Sequence, residues 1–359
     1  MQETLWKLYT SNTEAWEAML SACRDAKESI ELEQFIFVSD DFSKQLIDVC
    51  AERAQAGVKV RFIWDAAGSF SFFGSGIAEN LKKRGVELVF FKTLLPSFLK
   101  VHDYRSWFFR NHRRNLVVDG MVGFTGSICV SEKMQSWRDS NVRLAGPVVH
   151  DMQRSFERMW DRAQGKKLRK VKKLIQSDPE FAYVTNNPLP RGRFLYHQVT
   201  TALTSAQKYI CITTPYFVPT RRLARVLKAA AERGVDVKII LPKETDHPVV
   251  DMCSKTFFNS LLSSGVKIYL YEGEILHAKT LIIDGTWSTI GTQNLDSISL
   301  LYNFEANIIS TNKVFAEELT SHFMEDLKHT QEVTLAEWKR RYWVEKFAGF
   351  FLRFVRDLL

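Results

Sequence analysis

The chain has 359 residues, 45% of them hydrophobic and 25% charged, which at about 150 residues per domain fits two globular domains or one duplicated unit and excludes disordered or collagen-like classes. Lys and Arg number 49 against 41 Asp and Glu, and the resulting charge of +8 favours an anionic partner, either nucleic acid or an acidic lipid surface. No run reaches the roughly 18 apolar residues of a membrane span, the opening MQETLWKLYT lacks a signal-peptide layout, and five scattered cysteines without a CxxC pair argue against a disulfide framework or a zinc site and suit a reducing cytoplasm.

In chain order, residues 25–37 (DAKESIELEQFIF) read as a strand. Residues 51–65 (AERAQAGVKVRFIWD) read as a helix stopped at Gly57 and followed by a strand, and residues 81–91 (LKKRGVELVFF) repeat that pattern about Gly85. The same series returns later in the chain as 205–217 (SAQKYICITTPYF), 229–242 (AAAERGVDVKIILP) and 261–271 (LLSSGVKIYLY). Gly85 and Gly265 are 180 residues apart, whereas His112 and His277, Asp119 and Asp284, and Gly126 and Gly291 are each 165 apart. The chain is thus duplicated, and the first half carries 15 extra residues within 92–111, rich in Leu, Phe, Trp and basic side chains. Strands alternating with helices predict an α/β fold of two βαβ-type halves, each a mixed or mostly parallel sheet flanked by helices. Halves are expected at 1–161 and 194–335, joined by a basic, Pro-containing linker at 162–193 and followed by a tail at 336–359.

Both halves contain His-x-basic-x4-Asp: HRRNLVVD at 112–119 and HAKTLIID at 277–284. One copy is a weak signal; two at equivalent places are a strong one. Each reads as a β-hairpin turning at Asp-Gly. Strand alternation places His112 with Arg114, and His277 with Lys279, on one face. Asp119 and Asp284 fall on the other, as turn and supporting groups that complete the catalytic motif. A catalytic histidine needs a carboxylate on its second nitrogen; Asp139, 27 residues after His112, and Glu305, 28 after His277, are the candidates.

With NHRRNLVVDG, WRDSNVRLAGPVV (137–149), PYFVP (215–219) and HAKTLIIDGTWSTIGTQNLD (277–296), the chain resembles the phospholipase D superfamily, and within it the bacterial cardiolipin synthases. The resemblance implies two halves packed face to face around one active site, with Glu305 orienting His112 and Asp139 orienting His277. It implies transfer of a phosphatidyl group between phospholipids through a phosphohistidine, with His112 as nucleophile and His277 as acid/base, while the near-symmetric motifs leave the reverse assignment open. Arg114, Lys279 and Asn294 would hold the nonbridging oxygens, with Ser127 and Thr292 as further substrate contacts and no metal or other cofactor. Hydrolysis by a phospholipase D, or nuclease action, is the alternative. The expected partner is an anionic phospholipid at the inner face of the cell membrane, bound peripherally, rather than nucleic acid. Three residues depart from the family pattern: Arg114 stands where the family has Lys, Cys129 stands where the second half has Asn294, and Ile298 replaces an Arg. Cys129 is expected to lack the amide's hydrogen bonds. The tail, with Trp343, Phe347, Phe350, Phe351, Phe354 and Leu358 at helical spacing among basic residues, reads as an interfacial helix or a core-packed one.

Overall fold

The computed structural model describes residues 3–72, 75–91, 109–166, 176–188 and 192–340. The first half contains β1 (Leu5–Ser11), α1 (Asn12–Asp25), β2 (Ser29–Gln34), α2 (Asp41–Gln55), β3 (Lys59–Asp65), α3 (Gly76–Lys83), β4 (Glu87–Phe91), β5 (Asn115–Val118), β6 (Val122–Gly126), β7 (Arg138–Ala145) and α4 (Pro147–Ala163). The second contains β8 (Phe181–Asn186), α5 (Phe194–Ser205), β9 (Tyr209–Thr213), α6 (Arg221–Glu232), β10 (Asp236–Pro242), α7 (Pro248–Leu262) and β11 (Lys267–Tyr271). It continues with β12 (Thr280–Ile283), β13 (Trp287–Gly291), α8 (Ser297–Leu301), β14 (Glu305–Ser310), α9 (Lys313–Leu327), β15 (Thr330–Glu332) and α10 (Leu335–Arg340).

The duplication is plain in the topology. A seven-stranded sheet, ordered β1-β7-β6-β5-β2-β3-β4, faces an eight-stranded one, ordered β15-β11-β10-β9-β12-β13-β14-β8. Both are mixed. Helical crossovers make β2, β3 and β4 parallel, and likewise β9, β10 and β11. Asp-Gly hairpins make β5–β6 and β12–β13 antiparallel, and antiparallel pairing extends from there through β7 to β1 and through β14 to β8. Two departures from the sequence reading concern boundaries. Phe181–Asn186, placed in the linker, is the edge strand β8, because its apolar run pairs with β14; α4 also runs on to Ala163. Most of the 92–111 insertion, the basic run from 167 and the tail beyond 340 lie outside the described residues. The start of the tail is α10, whose Trp338 ring packs 4.9 Å from Phe258 of α7.

Both faces of the hairpin strands are buried, which explains their unbroken apolar runs. Leu116 and Val118 of β5 join the core under α1 and α2, while Val117 between them joins the seam between the sheets. Leu281 and Ile283 of β12 likewise join the core under α5, α6 and α7, and Ile282 joins the seam. The seam also takes Val142 and Leu144 of β7 and Ile290 and Ile308 of β13 and β14, so one apolar layer fixes the two halves against each other.

Each hairpin turns through a left-handed pair, Asp119 at φ 53° and Gly120 at 63°, Asp284 at 55° and Gly285 at 65°. Aspartate tolerates this conformation when its side chain is held locally. The Asp119 carboxylate accepts backbone N–H bonds from Lys27, Glu28 and Ser29 at 2.9, 2.7 and 2.8 Å. Asp284 does the same for Gln207, Lys208 and Tyr209 at 2.8, 2.8 and 2.9 Å. Partial burial pushes both carboxyls up, but these donors hold them below the usual aspartate value. The motif aspartates are therefore clamps at the far end of β5 and β12 from the histidines. Replacing Asp119 by Ala is expected to lower stability by roughly 2 kcal/mol, as three N–H groups lose an ionised acceptor. Chemical denaturation measures the loss, and kcat in the folded fraction should change less than threefold.

Candidate active site

The site is built where each half lends backbone to the other. Asn111 bridges Phe304, and Arg138 bridges Leu276. His112 N–H donates to Phe304 O at 3.0 Å, and Phe304 N–H donates to Arg110 O at 2.9 Å. His277 N–H donates to Arg138 O at 2.8 Å, and Arg138 N–H donates to Ile275 O at 3.0 Å. In both cases the carbonyl receiving the histidine N–H belongs to the residue just before the acid. That register delivers each carboxylate to the opposite imidazole. His112 Nδ1 lies 2.9 and 3.0 Å from the two Glu305 oxygens, and His277 Nδ1 lies 2.9 Å from Asp139 Oδ2.

The environment sets the charge states. Burial and the Arg114 charge pull His112 down to about 4 against the opposing Glu305. Burial and Lys279 do the same to His277, also to about 4, against Asp139. Both imidazoles are neutral near pH 7, with Nδ1–H pointed at the carboxylate and the lone pair on Nε2. Burial pushes Asp139 up, but His277 and its hydrogen bond bring the acid below the usual range. Burial, with Arg114 adding to it, lowers Lys279 to about 7 against the carboxylates of Asp139 and Glu305. The Arg114 field reaches His277 and the Lys279 field reaches His112, so the two motifs make one electrostatic site. Among the described residues no group of three or more His, Cys, Asp or Glu side chains is spaced to hold a metal ion.

The basic residues are anchored alike but not identically. Lys279 Nζ donates to His277 O at 2.7 Å. Arg114 Nη1 donates to His112 O at 3.2 Å, while its Nε donates to Cys129 Sγ at 3.0 Å. Cys129 thus does bond: its sulfur accepts from the guanidinium and its S–H faces Ser127 O at 3.9 Å. Asn294 Oδ1 is buried without a partner, leaving an acceptor free in the site. Ser127 and Thr292, read as substrate contacts, sit behind the acids instead. Thr292 Oγ1 donates to Glu305 at 2.5 Å and Ser127 Oγ to Ser140 O at 3.0 Å, because both hydroxyls face the acid-bearing strands β14 and β7.

Several supports went unread in the sequence. Phe35 packs edge-on to His112 at 4.8 Å, and Trp137 and Tyr216 pack on His277 at 5.4 and 6.4 Å. Asp65 receives Arg110 (2.6 Å) and the Asn111 N–H (2.9 Å), and Glu33 receives the Asn111 and Asn115 amides (2.8 and 3.1 Å). These two acids, fully buried in β3 and β2, stake the segment that leads into His112. Asn307 Oδ1 accepts from the Thr292 and Gln293 N–H groups. The signals were present: carboxylates inside apolar strands, and an acid-x-Asn pattern at both Asp139 and Glu305.

A family model described as "Cardiolipin synthase, PLD-like domain" matches residues 19–160 and 199–327. The chain belongs to this family. It is similar to the probable cardiolipin synthase YwiE of Bacillus subtilis (strain 168), with 31% identity over 91% of this chain and 67% of that protein. It is also similar to a cardiolipin synthase of Halalkalibacterium halodurans, with 32% identity over 94% and 69%. The fold matches the phosphatidylserine synthase of Haemophilus influenzae Rd KW20, with a TM-score of 0.73 at 13% identity over 98% of this chain and 94% of that one. Membership accounts for the paired motifs, and this cardiolipin synthase-family chain departs from their symmetry at Arg114 and Cys129.

Replacing His112 or His277 by Ala is expected to lower turnover roughly 10⁴-fold or more each, with the double variant hardly worse, because the pair acts as a unit. Steady-state rates on one substrate check this; a single variant with near-normal rate breaks the shared site. The Lys279 ammonium loses its charge as pH rises through about 7, so kcat/KM should fall over that range. In Lys279→Arg the guanidinium stays charged, and a pH–rate profile should show the alkaline limb moved upward.

Proposed function

We propose that the chain is a cardiolipin synthase-type phosphatidyltransferase that joins two phosphatidylglycerols into cardiolipin and releases glycerol. The two cross-half His–carboxylate pairs, flanked by Arg114 and Lys279, carry this reading. His277 first takes up a proton on Nε2, its imidazolium stabilised by Asp139 and by the anionic phosphodiester. His112 Nε2 then attacks phosphorus while His277 gives that proton to the departing glycerol alkoxide, so an N–P bond forms and a P–O bond breaks. A hydroxyl of the second phosphatidylglycerol then gives its proton to His277 and attacks the phosphatidyl-histidine, restoring His112. Two displacements replace one difficult step. Arg114, Lys279 and the Asn294 side-chain NH₂ hold the nonbridging oxygens in a dry site, where the fixed charges act strongly.

The substrate is an anionic lipid, and a net charge of +8 favours approach to such a surface. No helix among the described residues is long and apolar enough to cross a membrane. Peripheral attachment at the inner face of the cell membrane is the reading consistent with both.

Phosphatidylglycerol vesicles incubated with the protein should yield cardiolipin and glycerol by mass analysis, with His277→Ala giving neither. Phosphatidic acid as main product would make water the acceptor and the protein a hydrolase. Cleavage of plasmid DNA with the lipid untouched would overturn the lipid reading altogether.

A further inference from the structure

The halves differ in what their basic residue does to its histidine. Lys279 reaches the carbonyl of His277 and, among the described residues, nothing donates to His277 Nε2. Arg114 makes the equivalent bond to the His112 carbonyl and has two further nitrogens to place. Nη2 lies 3.0 Å from His112 Nε2, and Nε lies 3.0 Å from Cys129 Sγ. Because His112 directs Nδ1–H at Glu305, its Nε2 carries the lone pair and the guanidinium donates to it. The atom that must attack phosphorus is therefore covered in the substrate-free site. Exposure does not explain a difference between the histidines, since their side chains are 9% and 5% accessible.

Cys129 is what makes this arrangement possible. It is 2% exposed, so whatever stands there must accept the Arg114 Nε–H or leave a buried charged donor unmatched. The sulfur accepts that hydrogen and sends its own toward Ser127 O. A lysine at 114 would have no Nε for the thiol, and an asparagine at 129 would add an NH₂ facing a guanidinium. Arg114 and Cys129 are thus bonded to each other at the positions where the second half has Lys279 and Asn294.

We propose that Cys129 is a positioning residue that fixes the Arg114 fork across His112 Nε2, shielding this histidine until a phosphodiester draws the guanidinium onto its nonbridging oxygens. His277 stays open throughout. The proposal takes its phosphodiester from the function proposed above, but the shielding itself is measurable without substrate.

Diethyl pyrocarbonate acylates unprotonated imidazole nitrogens, and peptide mass mapping of the full chain resolves each histidine. At pH 7 without lipid, His112 should be acylated about tenfold more slowly than His277, the ratio expected for one hydrogen bond of about 1.4 kcal/mol to the attacking nitrogen. Cys129→Ala should bring His112 up toward His277 and lower kcat/KM about tenfold, while Cys129→Ser, which keeps an acceptor, should restore most of both. Arg114→Lys with Cys129→Asn should also unshield His112, yet turn over faster than either single variant, because it reinstates the pair of the second half. The acid limb of the pH–rate profile should move as well. His112 faces Arg114, Lys279 and Glu305, and a displaced Arg114 lets its pKa rise in Cys129→Ala. Equal acylation of the two histidines in the parent protein overturns the proposal, as does a Cys129→Ala variant unchanged in both reactivity and limb. Shielding present in a protein that converts no lipid sinks the substrate reading and leaves the positioning role standing.

Discussion

Everything in this site depends on two hydrogen bonds that cross the seam, from His112 to Glu305 and from His277 to Asp139. A neutral imidazole buried beside a cation has no fixed tautomer of its own. The carboxylate chooses it, holds the ring and puts the lone pair on Nε2. The geometry is enforced one level down, where the backbone N–H of each histidine is tied to the carbonyl preceding the acid. The side-chain pairing is then a consequence of strand register rather than of rotamer chance, and the apolar seam beneath holds that register.

Much of this was legible in the sequence because local physics wrote it there. The Asp-Gly turns, the helix-stopping glycines and the doubled spacing are short-range signals, and each appears where it was read. The mixed character of the sheets follows from the same signals, since crossovers give parallel and hairpins antiparallel neighbours. What stayed hidden was long-range. Nothing near Asp65 announces that it will hold Arg110, and nothing near Phe181 that it will pair with Ser310. Strand alternation read Asp119 and Asp284 as turn groups, and they lie there, whereas Ser127 and Thr292, expected at the substrate, bond toward the acid-bearing strands.

The departures from internal symmetry tell the halves apart. The first half surrounds its histidine with ionic groups, the buried Glu33, Asp65 and Arg114 and the partly buried Arg110, where the strand positions equivalent to Glu33 and Asp65 in the second are Thr213 and Pro242. Burying charge is unfavourable unless each group is matched, and here Glu33 and Asp65 are matched by amides and a guanidinium. The segment leading into the first histidine is thus staked by ionic contacts for which the equivalent strand positions of the second offer no charged group.

The crossed carboxylates also bear on inheritance. Either half made as a separate polypeptide would present an imidazole whose partner acid resides on another molecule, so the smallest piece able to be selected for catalysis is the pair. Recombination that swapped one half for that of a distant relative would have to bring a compatible acid strand with it, and drift on one side constrains what the other can tolerate.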